Sequence, residues 1–492
     1  MLLTDDLLLA YKRCDRRFFL NLWGDRRQQD PEREFIQKLR QENQQQINDL
    51  LTNYDWVRPE YPRGDWAAGA AVTAALMAAG ASCVYRGVLL GTGKALSADA
   101  TLEFLGRPTF LVKQPGRSRW GDWSYQPVNV KLGKRPKPEY KLVTTLHAEL
   151  LEQLQGAPVV SPELVLREQQ VYRVDLANWQ PRLRAAIAEC EQVRAAATAP
   201  EVFISRQRCS LCQWLSYCQT EARAQQHLSL VPGITPSRYR DLQTLGVDNL
   251  AALAQLDPWQ DAERIAPEIV SQLRSQARAL LQAQPLLLAD RPLAYHPPLP
   301  SAAIELYFDI EAEPDRNLDF LLGVLVVNHR TGTERFHAFL AEDPSEEPLI
   351  WQQFLALLLR YPGAPVFHFA AYEVDTVKRL AALYKTAHAV LPESLDRFVD
   401  IHAWVTQSVA MPVENYSLKT LAKWLGFAWR DADASGDQTV CWYDRWLRQG
   451  DRQLLNAIVR YNEDDCRATY RLKQWLGDFL ASASEPPLAV NS

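Results

Sequence analysis

The sequence predicts a multidomain α/β protein, and three observations carry that expectation. A chain of 492 residues exceeds what one hydrophobic core ordinarily holds, so two to four domains are expected. Apolar residues at 47% and charged residues at 23% are the balance of a folded globular chain, which excludes wholesale disorder and a fibrous repeat. Strand-like runs alternate with helical periods in both terminal parts, while a middle stretch reads as helix throughout.

Each block follows from local pattern. Residues 1–228 mix helical periods with strand-like runs, such as Cys83–Leu90 and Thr109–Lys113, and close on a cysteine cluster. Residues 229–285 are rich in Leu, Ala and Gln and read as all helix. Pro285, Pro292, Pro297, Pro298 and Pro300 mark a proline-rich linker over 286–302, because proline fixes φ and donates no ladder hydrogen bond. Residues 303–480 read as strand, hairpin, strand, helix, strand and then helices, and the polar segment 481–492 reads as a flexible tail. The chain shows no repeat at solenoid periods.

A net charge of −5 argues against a simple basic coat for nucleic acid, but the charge is unevenly spread. Residues 1–228 carry 30 Lys/Arg against 25 Asp/Glu, whereas residues 301–492 carry 18 against 27. A polyanion-binding part beside a metal-binding part fits this asymmetry, and so does simple drift of surface charge between domains. Asp5 and Asp6 stand where the basic region of a signal peptide would be. The uncharged run Trp66–Tyr85 is mostly Ala and Gly with few large aliphatics, too weakly apolar for a bilayer, and reads as a buried helix over 67–79 that breaks at Gly80 before a strand. The expectation is a cytoplasmic protein with no membrane partner, where thiols stay reduced.

The strongest chemical signal lies in the last block. Ile304 to Glu311 reads as a strand, and alternation places Asp309 and Glu311 on one face. Phe320–Val327 supplies its hairpin partner, and Val366–Phe369 is a third strand running into a helix that carries Glu373. Tyr461 and Asp465 are four apart on a later helix and share a face. Four carboxylates from three elements converge only around a cation. Oxygen ligands imply Mg²⁺ or Mn²⁺, and two such ions about 4 Å apart suit phosphodiester hydrolysis. Ordinary surface acids in an acidic domain are the bland alternative.

This order resembles the DEDD exonucleases of the ribonuclease H-like superfamily over residues 303–478. Asp309-Ile310-Glu311 matches the first motif, the second ends at Glu373, and Tyr461-x-x-x-Asp465 is the third. Arg460, five before Asp465, excludes the histidine subgroup in favour of the tyrosine subgroup. The resemblance implies that Tyr461 positions the attacking water and that polarity is 3′ to 5′. Tyr416 to Ala422, with Gly426, resembles the family's helix between the second and third motifs. Glu373 departs from the usual Asp, with Asp375 as a fallback on another helix face.

In the first block, Cys209, Cys212 and Cys218 lie close in sequence, and Cys14 sits in a basic, aromatic helix. Three clustered cysteines with one distant partner are a common [4Fe–4S] pattern, and Zn²⁺ on the same ligands is the alternative. The pairing resembles the iron–sulfur branch of RecB-like nucleases, which have the restriction-endonuclease-type PD-(D/E)XK α/β fold. The whole chain resembles RecB-like nucleases fused to a C-terminal ribonuclease H-like domain with a mixed sheet.

That first fold's chemistry needs an Asp and then an Asp/Glu-x-Lys. Thr109 and Asn129 occupy the two acidic positions and only Lys131 remains, so lost nuclease activity is expected. Gln41–Gln46 occupies the place of an expected metal-binding His, and Asp99 or Glu103 would serve if the motif lies elsewhere. Lys131, Lys134, Arg135, Lys137 and Lys141 then read as a phosphate-contacting strip, or as a solvated loop. In the middle block, Leu230 to Thr235 and Leu245-Gly246-Val247 resemble a helix-hairpin-helix unit, with Gly233 presenting backbone N–H groups to phosphate. Thr235 replaces its usual second glycine, and packing between the larger domains is an equal reading.

The expectation is a metal-dependent 3′-to-5′ exonuclease on DNA or RNA, with the first domain as a silent, cluster-bearing clamp. The competing expectation is a non-catalytic nucleic-acid-binding scaffold in which both nuclease folds are degenerate.

Overall fold

A computed structural model describes residues 2–92, 102–259, 263–288, 299–386 and 395–484. The chain separates into two compact units, Met1–Glu221 and Ala222–Ser492. The helical block expected over 229–285 therefore belongs to the second unit.

The first unit begins with β1 (Leu2–Thr4), α1 (Asp5–Arg13) and α2 (Asp15–Trp23), followed by α3 (Glu34–Leu51) and β2 (Trp56–Val57). Then come α4 (Trp66–Ala78), β3 (Cys83–Tyr85), β4 (Leu89–Thr92) and β5 (Glu103–Gly106). The remainder is β6 (Phe110–Ser118), β7 (Gly121–Val130), α5 (Pro138–Gln155), β8 (Glu163–Val165), β9 (Val171–Arg173), α6 (Leu176–Ala195), α7 (Arg206–Cys209) and α8 (Leu215–Ala224). A six-stranded sheet runs β2-β3-β6-β7-β8-β9, and a three-stranded sheet runs β1-β5-β4. Strands β3, β6 and β7 form an antiparallel meander, after which α5 returns the chain to place β8 parallel to β7. Helix α5 is buried on every side from Leu142 to Leu151, so it forms the spine of this unit's core.

Two expectations need correction here. The run Cys83–Leu90 is two strands, because Arg86 takes a φ of +54° and sends β3 and β4 into different sheets. Helix α4 is half-exposed, since only the row Gly69, Thr73 and Met77 is buried. Alanine all round gives a helix no strongly apolar face to hide.

The second unit opens with α9 (Pro236–Thr244), α10 (Leu250–Gln255) and α11 (Pro267–Gln282). Next is β10 (Leu286–Leu287), which pairs antiparallel with Val409 and Ala410, so the expected linker starts as a strand. Its prolines at 292, 297 and 298 lie outside the described residues. The main sheet combines β11 (Ile304–Glu313), β12 (Leu318–Asn328) and β13 (Thr333–Leu340) with β14 (Val366–His368) and β15 (Phe398–Asp400). Its order is β13-β12-β11-β14-β15, antiparallel through β11 and parallel beyond it, a mixed sheet.

Helices α12 (Glu347–Arg360) and α13 (Tyr372–Leu383) cover one core around Phe308, Phe354 and Trp351. Helix α14 (Ile401–Ser408) and α15 (Leu418–Trp424) pack with the last helix around Tyr307, Phe367 and Leu472, the strand β16 (Val409–Ala410) lying between them in sequence. Two helices finish the unit, α16 (Gly436–Gln449) and the 33-residue α17 (Arg452–Ser484). Helix α17 extends past the expected tail boundary, and residues 485–492 lie outside the described ones. No described helix is long and apolar enough to cross a membrane.

Candidate metal centre

The site forms where β11 ends beneath α17. Alternation along β11 turns Asp309 and Glu311 to the same side, and the pairing with β12 shifts register just past Glu311. Helical spacing on α17 presents Tyr461, Asn462 and Asp465 to that point. Ligand oxygens of Asp309, Glu311 and Asp465 all lie within 4.8 Å of one another. Among the described residues this is the one group of three or more His, Cys, Asp or Glu side chains gathered so closely.

Each of these carboxylates receives at least one neutral donor. Asn462 Nδ2 donates to Asp309 Oδ2 at 2.7 Å, Thr439 Oγ1 to Glu311 Oε2 at 2.6 Å, and Trp429 Nε1 to Asp465 Oδ1 at 2.7 Å. The Tyr461 hydroxyl also bonds Asp465. Neutral donors orient a carboxylate without cancelling its charge. Burial and mutual repulsion therefore push Asp309 and Glu311 well above the ordinary carboxylate range. Burial likewise raises Asp465 to about 7, despite the Trp429 and Tyr461 bonds. The same surroundings hold Tyr461 protonated by raising its phenol. The Lys419 ammonium lies 5.7 Å from the ring centres of both Trp429 and Tyr461 and attracts Asp465.

Glu373, in the first turn of α13, stands just outside the close group yet is near enough to raise Asp309. It is buried, and among the described residues its Oε2 has no hydrogen-bond partner. His368 Nδ1 is 3.6 Å from that oxygen, beyond hydrogen-bond reach, because it bonds the Ala370 carbonyl at 2.7 Å. Ala370 takes a φ of +76°, and its N–H is fixed on Asp400 Oδ1. This turn aims Glu373 inward, while Asp375 is exposed.

Hard oxygen donors, crowded together, half-buried or buried, and hydrogen-bonded to neutral groups, are a donor set that Mg²⁺ or Mn²⁺ would satisfy. Residues 306–477 match the family model RNase_H_2, described as RNase_H superfamily. The C-terminal domain is RNase H-like. Domains of the RNase H-like superfamily are usually nucleases that act on nucleic acid with divalent metal. No curated protein matches the chain.

In the first unit, Cys14 ends α1 and caps α2, its sulfur accepting the Arg17 N–H at 3.4 Å. Cys209 Sγ accepts the Ser205 N–H at 3.4 Å. Cys14, Cys209, Cys212 and Cys218 sense one another electrostatically and are all partly exposed, whereas the other four cysteines are buried. Burial raises Cys14 and Cys209 and lifts Cys218 to about 11.

Thr109 and Asn129 are both committed to the protein itself. Thr109 Oγ1 accepts the Val130 N–H, and Asn129 bonds Thr144 Oγ1 at 3.0 Å and His147 Nδ1 at 3.1 Å. His147 Nε2 in turn meets Asp5 Oδ2 at 3.0 Å. The contact of Asp5 with His147 beside Asn129 is one that sequence reasoning missed. Lys131 is half-buried, its ammonium lowered by desolvation and drawn up by Asp5 and Asp6. Lys134, Arg135 and Lys137 are exposed, and Lys141 lies over Tyr172 and Trp179.

Gly233 has a φ of +91°, a backbone state that favours glycine. The α9 N-terminus beside it is occupied by its own sequence, since Thr235 accepts the Arg238 N–H and Pro236 has none to give. The Gly233 carbonyl accepts Arg238 Nη1 at 2.7 Å.

Proposed function

We propose that this chain is a metal-dependent exonuclease that hydrolyses phosphodiester bonds of DNA or RNA in the 3′-to-5′ direction. The observation that carries the reading is the close group of Asp309, Glu311 and Asp465, with Glu373 poised beside it. These four would hold two Mg²⁺ or Mn²⁺ ions, which when bound would polarise a water and stabilise the leaving oxygen. Tyr461, kept protonated and tied to Asp465, would orient that water. Polarity follows from the resemblance to DEDD exonucleases alone.

For the first unit the reading is a RecB-like fold that clamps the substrate. The β3-β6-β7 meander, α5 and parallel β8 support it. The engagement of Thr109 and Asn129 with neighbouring protein groups supports catalytic silence there. Cys14, Cys209, Cys212 and Cys218 would hold a [4Fe–4S] cluster, the pattern of three cysteines close in sequence with one distant partner favouring that over Zn²⁺. Lys134, Arg135 and Lys137 are the exposed cations such a clamp would use, with Lys131 behind them and Gly233 in the helical block as the weaker contact.

Degradation of end-labelled single-stranded DNA and RNA with Mn²⁺ tests the enzyme reading. Shortening from the 3′ end by wild type, abolished in Asp309→Ala, is expected. Equal activity in both would remove the site, and inactivity of wild type on both substrates would favour the scaffold. Anaerobically purified protein should absorb broadly near 400 nm and lose that band in Cys14→Ser, whereas colourless protein containing zinc would overturn the cluster.

A further inference from the structure

We propose that Asn462 is a positioning residue that sets the two carboxylates of β11 for metal, and that Gly323 is glycine to make room for it. The inference rests on the metal-site reading above and assigns a role to residues outside its ligand set.

Asn462 follows Tyr461 on α17 and is fully buried. Its Nδ2 donates to Asp309 Oδ2 at 2.7 Å, and the same amide acts on Glu311, favouring its charged form. One hydrogen of the NH₂ is thus committed to Asp309, and Glu311, the other acid of the first motif, stands two residues along the same strand face. The other end of the amide has the opposite circumstance. Among the described residues Oδ1 is buried and has no hydrogen-bond partner. Leaving a buried acceptor unsatisfied costs free energy that leucine of similar volume would avoid. The position keeps its amide despite that cost, so packing does not explain it and the donated hydrogens do.

Gly323 provides the second, independent observation. It sits directly opposite Asp309 across the β11–β12 ladder. A Cβ on Gly323 would stand 1.6 Å from Asn462 Oδ1 and 2.8 Å from its Cγ. Gly323 is not among the positive-φ glycines, so the requirement here is space and not backbone freedom. Its carbonyl accepts the Cys466 thiol at 3.5 Å, which fixes it against α17. Any side chain at 323 would push the Asn462 amide off Asp309. Groups that orient metal ligands are worth about 10–100-fold in metal affinity.

The test is Mn²⁺ binding to the full chain without nucleic acid, by calorimetry and by melting with and without the ion. Asn462→Ala and Gly323→Ala should each weaken Mn²⁺ binding about 10–100-fold. Asn462→Leu should match Asn462→Ala in Mn²⁺ binding while keeping the metal-free melting temperature near wild type. Asn462→Asp, which adds a buried acid, should melt lower without metal and gain more from Mn²⁺ than wild type does. Wild-type affinity in Asn462→Ala and Asn462→Leu would overturn the proposal, as would equal losses of melting temperature with and without Mn²⁺. Absence of Mn²⁺ binding in wild type would instead remove the metal-site reading itself, and this inference with it.

Discussion

Two carboxylate sites, one in each unit, keep opposite company. In the second, Asp309, Glu311 and Asp465 are each bonded to a neutral group, Asn462, Thr439 or Trp429, and all three acids are held above their ordinary range. In the first, Asp5 meets His147 at 3.0 Å, accepts the Arg107 N–H at 2.8 Å, and lies within the field of the Arg107 guanidinium. Burial would raise Asp5, but His147 and Arg107 more than offset it and its carboxyl falls below the ordinary range. A buried carboxylate is available to a metal ion only where the protein has not already supplied the positive charge. By that criterion the group of Asp309, Glu311 and Asp465 retains an open demand for a cation, and Asp5 has met its own.

The sharpest way to break this contrast is a pair of substitutions with crossed effects. Asp465→Asn should bring hydrolysis of single-stranded substrate to background while leaving the metal-free protein at least as stable as wild type, because it removes one of several repelling acids. His147→Ala should do the reverse. It leaves Asp5 buried without its main partner, which costs about 3–5 kcal/mol in comparable pairs, and turnover by the folded protein should stay near wild type. Urea unfolding of the full chain and initial rates at low temperature measure both. A large loss of turnover in folded His147→Ala would make the first unit part of the chemistry and end the contrast.

The parts of this picture that were legible from sequence are those with local periods. Asp309 and Glu311 follow from strand alternation, and Tyr461 with Asp465 from helical spacing, so the ligand set could be read without knowing which strands pair. The neutral donors could not. Thr439 is 128 residues from Glu311 and Asn462 is 153 from Asp309, and neither Thr nor Asn carries a spacing signature for that job. Asn462 had one unused signal, its place beside Tyr461 on a face that must be buried. That Thr109 and Asn129 are not acidic is plain in the sequence, yet their engagement by Val130, Thr144 and His147 depends on tertiary contacts. Asp5 and His147 are 142 residues apart and meet only because α5 is buried beside α1. The break between β3 and β4 escaped notice because Arg86, not a glycine, takes the positive φ.

The smallest expected effect sharpens the comparison through its sign. Asp465 has its folded pKa raised from 3.8 to about 7, first by burial, and Asp309, Glu311 and Glu373 move in the same direction. A folded state that holds protons more tightly than the unfolded one loses stability as pH rises through that interval. The metal-free second unit should therefore be steadiest near pH 4 and weaken progressively toward pH 7. Asp5 is displaced the other way, so its contribution is present above about pH 4 and lost only in stronger acid. Between pH 5 and 8, then, the acids of the second unit should dominate the difference. Calorimetric melting in EDTA should fall by a few degrees across that range, since each kcal/mol moves a domain of this size by about 2–4 °C. Saturating Mn²⁺ should flatten the slope, because a bound cation removes the preference for protonated acids. Asp465→Asn should flatten part of it without metal, which separates these acids from the histidines that titrate in the same range. A slope unchanged by both Mn²⁺ and Asp465→Asn would mean that the buried acids are compensated, and the electrostatic distinction between the two units would fall.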